Sequence, residues 1–354
     1  MRTKITKLSM KCAIIFTALI LLLGGFDLIA GQGSSGAQFL QIYGGTHGVA
    51  VAGAFTAYQG SAQSVFWNPA CIRSVPRTTM LLSHSEYFAG INFDNVAVVL
   101  PMGYGTIAIQ GVGLLSGDIE ETTEEFDEGT GDYFTANDYA VGISFARSMT
   151  NKFDAGATFK VVNQNLADVS ATGIALDIGA LYKTGLFGNL IIGFSIKNFG
   201  PDMRYSGEGL IDLTGKSDNP SAEEDVKYQY ISEEYSLPLS FHLGASLNFN
   251  LARSSKIYFH FDAMNSVDQK ESVISAVEYK VPELFYIAAG HANLFSLFNP
   301  NESDVDLGGN MRGFTFGGGF NFGKFTGQPL WIEYAWEAHK YLNSIHRVGI
   351  ELAF

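Results

Sequence analysis

Nine ionisable residues fall on the small or polar face of alternating segments: Lys160, Asp177, His260, Asp262, Glu278, Lys280, Glu333, Arg347 and Glu351. Carboxylates close to a His or Lys can move protons, and such a set can serve hydrolysis or a transport path. The sequence contains no GxSxG nucleophile turn and no HExxH zinc motif. We therefore expect no catalysis. Charges on an enclosed face are kept satisfied by pairing between neighbouring strands, and Asp262 with Lys280 is the expected pair.

Two loops carry other chemistry. Residues 115–137 hold Asp118, Glu120, Glu121, Glu124, Glu125, Asp127, Glu128 and Asp132 with no Lys or Arg. A solvated loop accounts for them, and Ca²⁺ is the one cofactor the carboxylates could take, although the spacing is not that of an EF-hand. Asn301, Asp304 and Asp306 form a weaker set of the same kind. Residues 199–236 place Tyr205, Tyr228, Tyr230 and Tyr235 among carboxylates. A long Tyr-rich loop is either a partner-binding surface or a lid packed on itself.

The chain has 354 residues and a net charge of −13, so no basic stripe is available for nucleic acid. Forty glycines and a charged fraction of only 16% are unusual for a soluble enzyme of this length. Arg2, Lys4, Lys7 and Lys11 precede an uncharged apolar run from Ala13 to Phe26. With Ala30 and Gly31 as the small residues that follow, 1–30 reads as a secretory signal. Cys71 is then the single Cys of the exported chain, a small buried apolar residue by expectation.

Beyond residue 78 the sequence breaks into short segments of period two. Leu237 to Asn250 puts Leu237, Leu239, Phe241, Leu243, Ala245, Leu247 and Phe249 on one face, and Ser240, His242, Gly244, Ser246, Asn248 and Asn250 on the other. Fourteen strands follow, at 78–87, 94–101, 105–114, 138–149, 152–163, 171–183, 189–198, 237–250, 255–264, 271–281, 284–292, 312–322, 329–337 and 345–354. The first three alternate least cleanly. Many of these segments have the length of a strand tilted through a bilayer. Short turns are expected to join the second strand to the third, the fourth to the fifth and so on, with longer connections between, above all 115–137, 199–236 and 293–311. Sorting by parity is the mark of a membrane barrel, with periplasmic turns and external loops. Tyr182, Tyr279, Tyr334 and Trp336 are candidates for interfacial girdles. The last strand, HRVGIELAF, ends in Phe354, like the C-terminal signal of bacterial outer-membrane barrels. The fold class is an all-β membrane protein, a fourteen-stranded antiparallel outer-membrane β-barrel occupying 78–354.

A lumen of that size needs a filling, and 31–77 is the segment available. GVAVAGAFTAYQGSAQSVFWNPA (48–70) is rich in Ala and Gly, with Val49, Ala50, Gly53, Ala54 and Ala57 at helical spacing. It reads as a helical plug inside the barrel, ended by Asn68-Pro69, because the residue before Pro avoids the α region.

GAQFLQIYGGTHGVAVAGAFTA (36–57) and WNPA (67–70) resemble the N-terminal region of the PorV/PorQ family, itself similar to the FadL fatty-acid transporters. The likeness continues in TTEEFDEGTGDYFTANDYAVGISFA (122–146), ATGIALDIGALYKTG (171–185) and NFGPDMRYSGEGL (198–210). It departs at Cys71, where a Gly is common, and at His47 and Val49. The resemblance implies a barrel in bacterial outer-membrane lipid with an N-terminal hatch, in which Asn68, Pro69 and Ala70 form the hatch motif. It further implies a component of type IX secretion that holds secreted protein cargo, or other parts of the secretion system, through external loops. The alternative it leaves open is a FadL-like transporter, with a hydrophobic ligand bound between hatch and wall and leaving sideways through a gap. A porin-like structural protein is a third reading.

Overall fold

The computed structural model describes residues 33–186, 189–212, 228–251, 255–294, 312–339 and 343–354. The expected signal at 1–30, the Asn301/Asp304/Asp306 set and Glu223, Glu224 and Asp225 lie outside them.

The fold is a closed antiparallel barrel of fourteen strands. In chain order these are β1 (Thr79–Glu86), β2 (Asn92–Met102), β3 (Gly105–Leu115), β4 (Ala136–Thr150), β5 (Phe153–Leu166), β6 (Val169–Lys183) and β7 (Ile191–Phe199). Then follow β8 (Ser240–Asn250), β9 (Lys256–Ser266), β10 (Gln269–Val281), β11 (Phe285–His291), β12 (Arg312–Asn321), β13 (Leu330–His339) and β14 (Asn343–Ala353). Each strand pairs with its neighbours in sequence, and β14 closes the wall on β1, from Thr79 opposite Ala353 to Glu86 opposite His346.

The burial is inverted relative to a water-soluble protein. Ile109, Ile143, Phe159, Ile178, Ile287, Phe316, Ile332 and Ile350 are exposed on the outer face, whereas Ser144, Thr158, Asp177, Ser195, His260, Glu278 and Arg347 are buried inside. In β8 the expected two faces are present, with Ser240, His242, Gly244 and Ser246 as the buried one. A continuous apolar outer belt has no place in water and is the lipid face of a membrane barrel. No described helix is long and apolar enough to cross a membrane.

Loop lengths sort less strictly than parity predicts. The connections 116–135, 200–239 and 292–311 are long and lie at one end, but β5–β6 and β9–β10 turn at that same end through Ala167-Asp168 and Val267-Asp268 alone. Ala167 takes a positive φ of 47°, as a tight turn demands. Strand extension replaces loop here: β4, β5 and β6 run to 15, 14 and 15 residues and carry the wall upwards themselves.

The segment 33–78 runs through the lumen from one end to the other. It starts at the long-loop end, where Ser35 bridges Ser236 in parallel, and leaves at the opposite end into β1. It is not the continuous helix expected from its composition. It has a first 3₁₀ turn, Gln38–Gln41, then one α-helix, α1 (Thr46–Ala50), followed by turns and two more 3₁₀ segments, Ala62–Phe66 and Pro69–Ser74. Gly45, Gly53 and Gly60 have φ of 78°, 93° and 82°, and Ala52 has 57°. Glycine in such conformations interrupts a helix. The irregular path also fills a round lumen better than a single cylinder about 10 Å wide.

Wall glycines make the fit possible. A Cβ on Gly179 of β6 would lie 2.0 Å from Asn68 Oδ1, and one on Gly156 of β5 would lie 2.6 Å from the Pro69 carbonyl carbon. A Cβ would likewise lie 2.2 Å from the Thr56 carbonyl oxygen at Gly193, 2.7 Å from Ala50 Cβ at Gly317 and 2.3 Å from Thr46 Oγ1 at Gly349. Gly179→Val should therefore expel the hatch from its seat and leave the wall intact. Heat-modifiable gel migration is expected to stay normal while 60–76 becomes cleavable by added protease. Gly113→Val, whose nearest neighbour would be 3.9 Å away, should change neither.

Candidate ligand chamber between hatch and wall

Asn68, in the expected hatch motif Asn68-Pro69-Ala70, anchors the luminal segment. Asn68 is extended (φ −148°, ψ 109°), as its place before Pro requires. It closes the preceding 3₁₀ segment and also opens the next: its Oδ1 accepts from the Ala70 N–H at 3.0 Å, with Pro69 at the first helical position. Its Nδ2 donates to the Thr56 carbonyl at 2.8 Å and to the Ala180 carbonyl of β6 at 3.1 Å. One side chain thus caps a turn, ties two parts of the hatch together and fastens both to the wall. Ala70 and Cys71 are fully buried.

The inward charges form a latch at mid-lumen. Glu278 of β10 accepts hydrogen bonds from His47 Nε2 and from the Tyr58 hydroxyl, each at 3.1 Å. His260 Nε2 lies 3.5 Å from the same carboxylate. His47 stacks on Tyr286 at 3.8 Å, and its backbone N–H donates to Gln63 Oε1 at 2.7 Å. Gln63 in turn donates to Glu333, which also accepts from the Tyr286 hydroxyl at 3.0 Å. The expected Asp262–Lys280 pair is absent. Asp262 stands opposite Ile274, and Lys280 opposite Lys256, so the register holds the two apart. Asp262 instead accepts from the Thr56 N–H at 2.9 Å, and Lys280 donates to the Tyr58 hydroxyl at 3.1 Å. Hatch groups, invisible to strand alternation, take the places assigned to neighbouring strands. Lys160 and Asp177 do pair across β5 and β6, at 2.8 Å.

Above the latch, the first turn of the hatch leaves space against the wall. One narrow compartment is lined by Phe39, Leu40, Ile42, Phe66, Val112 and Ala140, with Lys160, Asp177 and Lys197 at its polar side. A second shares Leu40, Ile42, Gly44 and Lys197 and adds Tyr43, Trp67, His242 and Met264. Lys197 lies 5.7 Å over the Trp67 ring.

The wall beside this space is incomplete. Strand β7 ends at Phe199, opposite Leu176, while β6 continues to Val169. Ser206 and Gly207 pair with Ser170 and Val169. Between them, Ala171 to Ala175 have no ladder partner on this side among the described residues. Loop side chains fill the window. Met203, 2% exposed, sits where a Cβ on Gly173 would come within 2.6 Å of it. Met203 also pairs with Tyr235, and both belong to the apolar cluster that includes Phe39, Leu40, Ala140 and Leu237.

The four loop tyrosines fall into different settings. Tyr205 and Tyr235 pack against each other with ring centroids 5.6 Å apart, and the Tyr235 hydroxyl donates to Gln164 Oε1 at 3.0 Å. Burial pushes that hydroxyl well above its ordinary pKa, so it remains a donor. These two hold a lid. Tyr230 is exposed, beside the still more exposed Ile231. Tyr228 lies in a short strand pairing with Asp212. In the acidic loop, Ile119–Glu120 pairs with Tyr133–Phe134 as a small hairpin. Its carboxylates do not converge, and no metal-binding cluster of His, Cys, Asp or Glu occurs among the described residues.

No protein-family model matches the chain, and no curated protein sequence matches it. Solved structures do resemble it in fold. The CymD monoaromatic hydrocarbon channel superposes with a TM-score of 0.55 at 12% identity, over 88% of this chain and 98% of that one. The toluene transporter TbuX of Ralstonia pickettii gives the same four values. A FadL homologue from Pseudomonas aeruginosa gives 0.54 at 11% identity, over 88% and 98%. At these identities the likeness shows the fold alone, a closed antiparallel β-barrel like those of FadL-type channels.

Removing the Asn68 side chain deletes a cap worth about 1 kcal/mol and two further hydrogen bonds worth about 1 kcal/mol each. In Asn68→Ala, hydrogen exchange at the Cys71 and Val75 amides should rise by about a hundredfold, given that about 1.4 kcal/mol is tenfold. Amides of β13 and β14 should be unaffected.

Proposed function

We propose that this protein passes a hydrophobic small molecule across or into the outer membrane. The observation that carries this reading is the window at Ala171–Ala175, closed by Met203 and adjoining the apolar space around Phe39, Leu40 and Ile42. A lipophile held there has apolar surface on the hatch side and lipid beyond the wall. Met is the most adaptable of apolar side chains, and Met203 belongs to a loop rather than to the strand ladder. The compartments are narrow in this conformation, so passage requires the first turn of the hatch and the lid to separate. That the similar folds include named hydrocarbon and toluene carriers supports the same direction.

The bridge between Ser35 and Ser236 joins those two parts, and paired backbones stand close enough for a disulfide. Oxidised Ser35→Cys/Ser236→Cys should lower uptake of a labelled monoaromatic or long-chain lipophile into reconstituted vesicles at least about tenfold. Reductant should restore it. Unchanged uptake in the oxidised protein would sink the proposal.

A second reading, a loop surface that holds secreted protein cargo of the type IX kind, is favoured by exposed Tyr230 and Ile231. Deleting 209–233 separates the two. Lipophile uptake should survive the deletion, whereas a cargo role predicts loss of a co-purifying secreted polypeptide.

A further inference from the structure

The two ends of the barrel differ in charge. At the long-loop end the acidic hairpin, Asp168, Asp202, Glu233 and Glu234 dominate, and Arg204 lies 3.7 Å from Glu234. The short-turn end is the reverse. Arg77, Arg147, Lys152 and Lys324 are exposed there and Arg73 and Lys256 are half-buried, while Lys183 is held by buried Asp154 at 2.9 Å. Glu283 is the exposed carboxylate at this end among the described residues.

The cations of the turns between strands each have an apolar companion. Met149, 63% exposed, lies between Arg147 and Lys152, and Phe325, 80% exposed, follows Lys324. Leu251 precedes Lys256 across the β8–β9 turn, and Leu186 follows Lys183. Arg147 is on the same outer face as Ile143 and Phe145, one step beyond the apolar belt. The pattern occurs at four of the six turns of this end; the β2–β3 turn presents Tyr104 without a cation and the β10–β11 turn presents Glu283. A protein partner would call for a patch on one side; cations with apolar neighbours spread over four turns, continuous with the lipid-facing belt, match the headgroup layer of a bilayer.

We propose that the short-turn rim is a docking surface for anionic phospholipid headgroups of the inner leaflet of the outer membrane. The assignment of leaflet follows from the orientation in which short turns face the periplasm. Anionic headgroups supply the charge that Arg147, Lys152, Lys256 and Lys324 do not find in a salt bridge among the described residues, and the companion side chains enter the boundary beneath them. The proposal does not depend on transport.

The test uses the full chain in nanodiscs containing equal phosphatidylglycerol and phosphatidylethanolamine with the same acyl chains. Lipids retained after mild extraction are counted by native mass spectrometry. The protein should retain phosphatidylglycerol in about threefold or greater excess. The excess should fall at least halfway to parity in Arg147→Gln/Lys152→Gln/Lys256→Gln/Lys324→Gln, with Lys183 left to hold Asp154 and Arg77 left at the rim. If the fourfold variant does not fold, as judged by heat-modifiable migration, the pairs Arg147/Lys152 and Lys256/Lys324 are read separately, each with a partial loss. Parity in the native protein, or an excess that survives the substitutions, overturns the proposal.

Discussion

The hatch touches the wall backbone to backbone, and the rest of the molecule depends on that closeness. Gly156, Gly179, Gly193, Gly317 and Gly349 lie on five strands, and at each a Cβ would overlap a hatch atom. A barrel of fourteen strands has a fixed bore. Dense filling therefore comes from removing wall side chains where the hatch backbone meets the wall and supplying long ones, such as Arg347 and Glu278, where they reach hatch polar groups. Ridged against grooved, the two surfaces admit one seating of the hatch.

Polar groups then fix that seating. Glu278, Glu333 and Asp262 come from the wall, while His47, Tyr58, Gln63 and the Thr56 N–H come from the hatch. A buried carboxylate without partners is expensive, so each wall acid makes the hatch necessary in one position. The apolar cluster at the long-loop end imposes less direction. Phe39, Leu40 and Met203 pack by shape, but the same part of the hatch is also tied at the rim. There the Ser35 N–H and Gln38 Nε2 donate to Asp268 and the Gly36 N–H donates to the Ser236 carbonyl, so movement must release those bonds.

Much of the wall is legible in the sequence because the rule of alternation is simple: apolar outwards, small or polar inwards. It holds cleanly in β8, where Ser240, His242, Gly244 and Ser246 face in. It blurs in β1 to β3, and the structure gives the reason. Leu81, Ala97, Val99 and Ala108 face the hatch core, so both faces there are apolar. The hatch itself is less legible. Its Ala and Gly content reads as helix, but Gly45, Gly53 and Gly60 serve left-handed turns. The Asn68-Pro69 break is visible from local sterics alone; the bond from Asn68 to Ala180 is not, because it depends on which strand lies behind it. The Asp262–Lys280 expectation fails for the same reason. Pairing inferred along the wall cannot include partners from a segment two hundred residues earlier. Short β7 and the window beside it leave no periodic mark either.

The wall is closed by its last strand on its first, around a segment that precedes both. That arrangement sets an order of assembly. Drawing 33–45 through a finished ring would mean passing Arg347, Glu278 and Glu333, with clearances already below a methyl group at the glycines. The lower path is for the hatch to collapse first and for the strands to wrap it, with β14 zipping onto β1 as the final act. The hatch is then a mandrel as well as a filling: the bore is shaped on it, and the glycine positions are the imprint. A chain whose hatch collapses too slowly would close empty, and the closed ladder would hold that mistake for as long as its hydrogen bonds last.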